Sequence, residues 1–478
     1  MKDDVKKMME NAQKEAHKKV KQIVKEDKSE QKEKKEDQQD RPAIGIFTNF
    51  TGFNPGYSLT GIVRDQCIML DEYGHDVYLF TNEECPADDL TKKRLKFPAN
   101  VKIVPIFPQG HLDDYQTAKD FADKHMELAQ KVAALTHEHI EKFKIKFAFT
   151  HDWIFTGWNL PYSVAIHMLK DKVNIKWLHW IHSTPNPPLK DWWYIKRYGP
   201  DHKIIFPNQT ERTRVAEAYR GDHGDVRIIP HIKDPRIWFD FTEEAKRFIR
   251  DFPLMMTADA LQVYPASSDR LFAKRIDIPI RIFGEWKKLG LSVCLVIANQ
   301  WARPEKAREE IDKYLNLGQH YALIPDKELI FTSRWESEFE DGLTQPILRD
   351  LMLLSNIFIY PTREESFGLV GPEAALNGCF MVLNRSLQMM CEVFDNTGLY
   401  LDFGSHHNIA PRMDFESPDI TAFQEYARLI AGRCAQDYSF QTKTLARIRY
   451  NYNTLYRRCY DPIMAESALW KGGWAGGK

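Results

Sequence analysis

Short apolar runs recur along the chain, each bounded by glycine, proline or charge and each followed by a longer stretch of helical spacing. The first, Ala43-Ile44-Gly45-Ile46-Phe47-Thr48, is continuous and apolar, as a parallel strand buried on both faces requires. A loop holding Gly52, Gly56 and Gly61 follows. The pattern then predicts a helix from about 61 to 72, ended by Tyr73-Gly74, and a strand over 76–80. Further strands are predicted at 101–106, 147–150, 175–181 and 203–206, with a long helix over about 113–143. A second series opens at Leu261-Gln262-Val263-Tyr264 and continues through 293–298, 329–332, 357–360 and 380–383. Strands alternating with helices imply βαβ units and parallel sheets.

The two series divide the chain. Residues 1–40 are nearly all Lys, Glu, Asp and Gln of mixed sign, and read as a charged flexible tail without the apolar surface to join a core. Residues 41–235 form a first Rossmann-like domain and 236–430 a second, with a strandless connection near 233–260. Residues 431–478 are read as a C-terminal helical segment. The fold class expected is α/β, with the two domains facing each other across a cleft.

Composition narrows the function classes. A length of 478 residues exceeds one ordinary core, and 43% hydrophobic residues with 12% aromatics suffice to fill two. A formal net charge of −1 argues against non-specific polyanion binding by the whole molecule. No run approaches the roughly 20 apolar residues that a membrane helix needs. The charged start, Met-Lys-Asp-Asp, is unlike the apolar core of a signal peptide. Seven cysteines lie scattered without a C-x-x-C pair, which fits free thiols in a reducing compartment and a cytoplasmic location.

Several chemical signatures are missing. The chain has no G-x-x-x-x-G-K-[ST] phosphate loop, no G-x-G-x-x-G after a strand, and no D-x-D to hold a divalent cation under a diphosphate. The informative stretch runs from Ile357 through Tyr360-Pro-Thr-Arg-Glu-Glu365-Ser366-Phe367-Gly368-Leu369-Val-Gly-Pro-Glu373 to Ala-Ala-Leu-Asn-Gly. A strand here leads into a Gly-bearing loop with one carboxylate, then into a helix start with another. Open α/β sheets bind ligands at such strand ends, and the first turn of a helix favours negative charge.

This stretch resembles the E-x(7)-E signature of retaining glycosyltransferases of family 4, with Glu365 and Glu373 as its glutamates. The resemblance implies that Glu373 binds the donor ribose and that Glu365 lies against the donor sugar and reacting centre, with Ser366, Phe367, Gly368 and Leu369 lining the donor. A second match follows the strand at 261–264, where Ser268-Asp269-Arg270-Leu271-Phe272-Ala273-Lys274-Arg275 looks like the family's diphosphate-binding Arg and Lys. The family's Gly-Arg-Leu is Asp-Arg-Leu here, and Lys274 is followed by Arg275 instead of Gly, so the partner of Arg270 is left open between the two. In the first domain, Thr60-Gly61 stands where the family has Gly-Gly beside the diphosphate. Thr150-His151-Asp152-Trp153 resembles its H-x-H-D-W loop, with His151 as an acceptor-side candidate, and His182, a catalytic candidate, stands where relatives carry a histidine touching the donor sugar. The aromatic-basic stretch 177–203 offers Trp192 and Trp193 as an acceptor platform, or as packing for a long loop.

Membership implies a GT-B enzyme that transfers a sugar from a nucleotide-sugar co-substrate with retention. The missing D-x-D and the Arg270 and Lys274 cations lead to the expectation of transfer with no metal, and no bound cofactor is expected. The acceptor is open between glycan, small molecule and modified nucleic acid. Competing readings are an epimerase or phosphorylase on the same fold, and a non-catalytic nucleotide-sugar-binding protein.

Overall fold

A computed structural model describes residues 41–54, 56–108, 115–154, 160–183, 199–465 and 470. The tail at 1–40 and the residues Trp192 and Trp193 lie outside the described residues. The chain divides into two compact units: one runs Asp234–Asn451, and the other takes in the described residues up to Lys233 together with those from Tyr452 onward.

In the first unit, β1 (Ile44–Phe47), β2 (Val77–Asn82), β3 (Lys102–Phe107), β4 (Phe147–His151), β5 (Lys176–Trp180), β6 (His202–Phe206) and β7 (Val226–Ile228) form one parallel sheet in the order β3-β2-β1-β4-β5-β6-β7. β1, β2 and β6 are buried at every position, as strands of a parallel sheet covered on both faces are, and β1 is an unbroken apolar run. An aromatic core fills one face, with Phe47 stacked on Phe80 at 4.5 Å and edge-on to Trp153 at 5.4 Å. Trp177 and Trp180 are wholly buried on β5, so they belong to the core and not to an acceptor platform. The helix after β1 spans Ser58–Glu72, so Gly61 lies in its first turn and not in the preceding loop. The stretch around Tyr456 and Asp461 is clasped to the rest of this unit. Arg41 donates to Tyr456 Oη at 3.0 Å and pairs with Asp461 at 2.8 Å, and Tyr73 stacks on Tyr456 at 3.7 Å.

The second unit carries β8 (Ala260–Ser267), β9 (Val293–Gln300), β10 (Leu329–Phe331), β11 (Ile357–Tyr360), β12 (Phe380–Asn384) and β13 (Leu399–Leu401). These form two parallel ladders, β10-β9-β8 and β11-β12-β13. Side chains bridge the seam. The buried Gln262 amide donates to Ile359 O at 3.0 Å and accepts from Ile359 N at 2.9 Å. Asn356 Oδ1 takes Leu261 N at 2.9 Å, and Ser355 Oγ takes Val263 N at 2.9 Å. The six strands thus follow the order β10-β9-β8-β11-β12-β13. Relative to its own first strand, each unit has the Rossmann order 3-2-1-4-5-6, with the reversal between the first and fourth strands.

The strandless stretch 233–260 contains the helices Pro235–Trp238, Glu243–Asp251 and Leu254–Thr257. The helices Ile420–Cys434 and Tyr438–Tyr450 pack on the second unit, where the buried Arg447 guanidinium donates to Met255 O at 2.7 Å and Ala258 O at 2.6 Å. None of the seven cysteines is in a disulfide. Among the described residues no helix is long and apolar enough to cross a membrane.

Candidate functional site

In the second unit the order reversal falls between β8 and β11, so the loops leaving these strands meet at their carboxyl ends. A backbone tie holds the two loops together, Arg363 N donating to Ala273 O at 3.0 Å, and Tyr264 Oη on β8 donates to Lys274 O at 3.1 Å, fixing the first loop to its own strand. Lys274 Nζ is ion-paired with Glu365 Oε1, and each side chain is 13% exposed. The same carboxylate oxygen accepts from Tyr360 Oη at 2.9 Å, from the last residue of β11. Burial, reinforced by the Glu365 charge, pushes the Tyr360 phenol far above its ordinary value, so it stays a donor.

Arg270 reaches the neighbouring glutamate instead. Its Nη2 lies 2.8 Å from Glu364 Oε1, and the other Glu364 oxygen lies 3.0 Å from His406 Nε2. Arg275, the rival to Lys274, turns into the core. It is buried, forks onto Asp277 at 2.9 Å, and donates to Phe403 O at 3.2 Å. Of the two basic neighbours, only Lys274 therefore faces the glutamates.

Gly368 has φ +73°, and a Cβ there would lie 2.6 Å from Tyr360 Oη, so the loop closes over the tyrosine only with glycine. Ser366, Phe367 and Leu369 around it are exposed. The helix after the loop is Val370–Leu376, so Pro372 and Glu373 fall in its first turns. Glu373 is half-buried and, among the described residues, its carboxylate has neither a hydrogen-bond nor an ion-pair partner; burial raises its pKa. It borders a cavity of about 300 Å³ with Arg349, Met352 and Asn377.

Three contributors escaped the sequence reading. Glu364 is masked by its neighbour Glu365, Tyr360 looks like one more apolar strand residue, and His406 sits in no motif. Only the folding of the β13 loop brings His406 to Glu364.

In the first unit, His151 and His182 come together at the ends of β4 and β5, in a chain of side chains. Gln66 Oε1 lies 2.8 Å from His151 Nε2, His151 Nδ1 lies 2.8 Å from His182 Nε2, and His182 Nδ1 lies 3.1 Å from His231 Nε2. Both ring nitrogens of His182 are thus engaged within the protein. Burial lowers the pKa of His151 to about 3 and that of His182 well below its ordinary value, so both are neutral. Burial also raises Asp152, whose Oδ1 accepts from His182 N at 3.1 Å, to about 6. Gly61 has open space where a Cβ would stand. Among the described residues, no three His, Cys, Asp or Glu side chains are grouped to hold a metal ion.

No protein-family model matches this chain, and no curated protein matches it by sequence. Among solved structures it is similar to a glycosyltransferase from Rickettsia africae ESF-5, with 13% identity over 90% of this chain and 100% of that one, at a TM-score of 0.37. It is similar to a sucrose-phosphate synthase from Thermosynechococcus elongatus, with 15% identity over 88% and 99% of the chains, at 0.33. A trehalose-6-phosphate synthase matches with 10% identity over 89% and 99%, at 0.34. Likenesses at such scores leave the function to be argued from the residues themselves.

Proposed function

We propose that this chain is a GT-B glycosyltransferase that moves a glycosyl group from a nucleotide-sugar donor to an acceptor hydroxyl with retention of configuration. The observation that carries the reading is the Lys274–Glu365–Tyr360 cluster beside Arg270, at the strand ends where the β8–β11 order reverses. In the reaction the bond from the anomeric carbon to the diphosphate oxygen breaks and a bond to the acceptor oxygen forms on the same face. The acceptor proton passes to the leaving diphosphate. Arg270 and Lys274 then hold the negative charge that develops on the leaving group, a fork and a point charge fixed before the reaction begins. With two such cations in place the transfer needs no divalent metal. Glu365 stabilises the positive charge that grows at the anomeric carbon. The Glu373 carboxylate, without a partner among the described residues, accepts from the ribose hydroxyls.

A panel of nucleotide sugars, with and without chelator and without acceptor, tests this. Slow release of nucleoside diphosphate that survives chelation and is lost in E365Q is the expected result. Epimerised donor would support the epimerase reading. Tight donor binding without turnover, with acceptors supplied, would support the binding-protein reading. A strict requirement for manganese or magnesium would overturn metal independence.

A further inference from the structure

Glu364 has no part in the chemistry above, yet it is held from two sides. It lies between Arg270, on the loop after β8, and His406, on the loop after β13, at 2.8 and 3.0 Å. Its carboxyl is held below the usual carboxylate range, first by the Arg270 hydrogen bond and then by His406. Buried groups set this placement. Asn384, wholly buried at the end of β12, donates to Thr362 O at 2.9 Å and Gly404 O at 2.8 Å and accepts from Ser386 N and Phe403 N, both at 3.1 Å. It thereby fixes the Glu364 loop against the His406 loop. Thr362 Oγ1 donates to Glu364 O at 3.0 Å, and Arg363 N to Ala273 O ties in the Arg270 loop. Gly404, at φ +77°, makes the turn before His406, and a Cβ there would meet Ala410 N at 3.1 Å.

A guanidinium and an imidazole spaced to grip both oxygens of one carboxylate are spaced to grip two oxygens of a phosphoryl group. We propose that Arg270 and His406 form one phosphoryl subsite for a nucleoside diphosphate, and that Glu364 is its resident counter-ion, displaced when the ligand binds. The inference rests on the reading of this edge as a diphosphate site. Two opposite consequences follow. Glu364 competes with the ligand and opposes its charge, so removing the Glu364 charge tightens binding. His406 donates to the ligand, so removing it weakens binding.

The test is calorimetric titration of the full chain with pyrophosphate and with a set of nucleoside diphosphates. E364Q keeps the shape and loses the charge, and should bind about two- to fivefold tighter, the scale of a partly exposed ion pair. H406A should bind weaker by a similar factor. E310Q, which neutralises one carboxylate of the surface pair Lys313–Glu310, should bind as the wild type does, separating the local effect from net charge. Melting temperatures near wild type for E364Q and H406A show that both still fold. Unchanged or weaker binding by E364Q, or unchanged binding by H406A, overturns the inference while the diphosphate site itself stands. A wild-type protein that binds neither pyrophosphate nor any nucleoside diphosphate overturns the site reading, and this inference with it.

Discussion

Glu365 and Glu373 stand eight positions apart and meet different surroundings, which separates their expected effects. Glu365 is tied to Lys274 and Tyr360 beside the proposed bond-breaking centre, so E365Q should lower kcat with little change in donor affinity. Glu373 has a partly desolvated carboxylate without a partner among the described residues, and a contact to ribose would exist in ground and transition states alike. Losing a hydrogen bond to a charged group costs about 1.5–3 kcal/mol, so E373A should weaken donor binding roughly ten- to hundredfold at similar kcat. Calorimetry for affinity and nucleotide release for turnover check both, and normal donor binding by E373A would remove Glu373 from the donor site. Gly368 gives a third handle. Alanine there must hold φ +73° and push Tyr360 Oη off Glu365, so G368A should lose about 1–3 kcal/mol of stability and most turnover. A G368A protein with wild-type melting and activity would show that the loop tolerates a side chain.

Elements are where local reading succeeded and also where it stopped. Buried parallel strands are continuous apolar runs, so β1, β8, β9, β11 and β12 were legible from their own residues. β13 was not, because Leu399–Leu401 is three residues long and is a strand only through its ladder with β12. The β8–β11 seam was equally hidden: a glutamine inside an apolar run reads as a blemish until its amide is seen bridging Ile359 in both directions. Q262L would leave a buried N–H and a buried C=O without partners. Each such orphan costs about 1–3 kcal/mol, so a loss of about 2–4 kcal/mol is expected in denaturant unfolding. A loss under about 0.5 kcal/mol would mean that the seam is held by packing alone.

At the scale of the molecule the buried histidines gather in the first unit. His151 and His179 are lowered to about 3, and His75, His182 and His202 are also lowered, in each case chiefly by burial. The fold holds them neutral, whereas the unfolded chain protonates them near pH 6.5. Their contribution is therefore complete above about pH 6.5 and declines as pH falls toward the folded values, by on the order of 1 kcal/mol per histidine per pH unit. Thermal melts from pH 8 to pH 5 should show the first unit losing stability earlier than the unit Asp234–Asn451. Melting that is flat across this range, or that falls equally in both units, would contradict the neutral assignment.

What the sequence determined by itself is what depends on near neighbours. The alternation of apolar runs and helical spacings specified two α/β series because each strand and helix is recognisable within its own span. The motif glutamates were recognisable because both lie in one strand-loop-helix segment. Tertiary structure decided the pairings. Lys274 and Arg275 are equivalent on paper, yet burial against Asp277 removes Arg275 and leaves Lys274 to face Glu365. Histidines 31 positions apart are joined by a 2.8 Å contact that uses a ring nitrogen of His182, because β4 and β5 are sheet neighbours. Arg270 and Glu364 converge because the strand order reverses between β8 and β11, and the hydrogen bonds from Asn384 to Thr362 O and Gly404 O bring the β13 loop with His406 to them. Strand order is a property of the packed sheet and leaves no mark on any one stretch of chain, so side chains that meet at strand ends become neighbours only when the sheet forms.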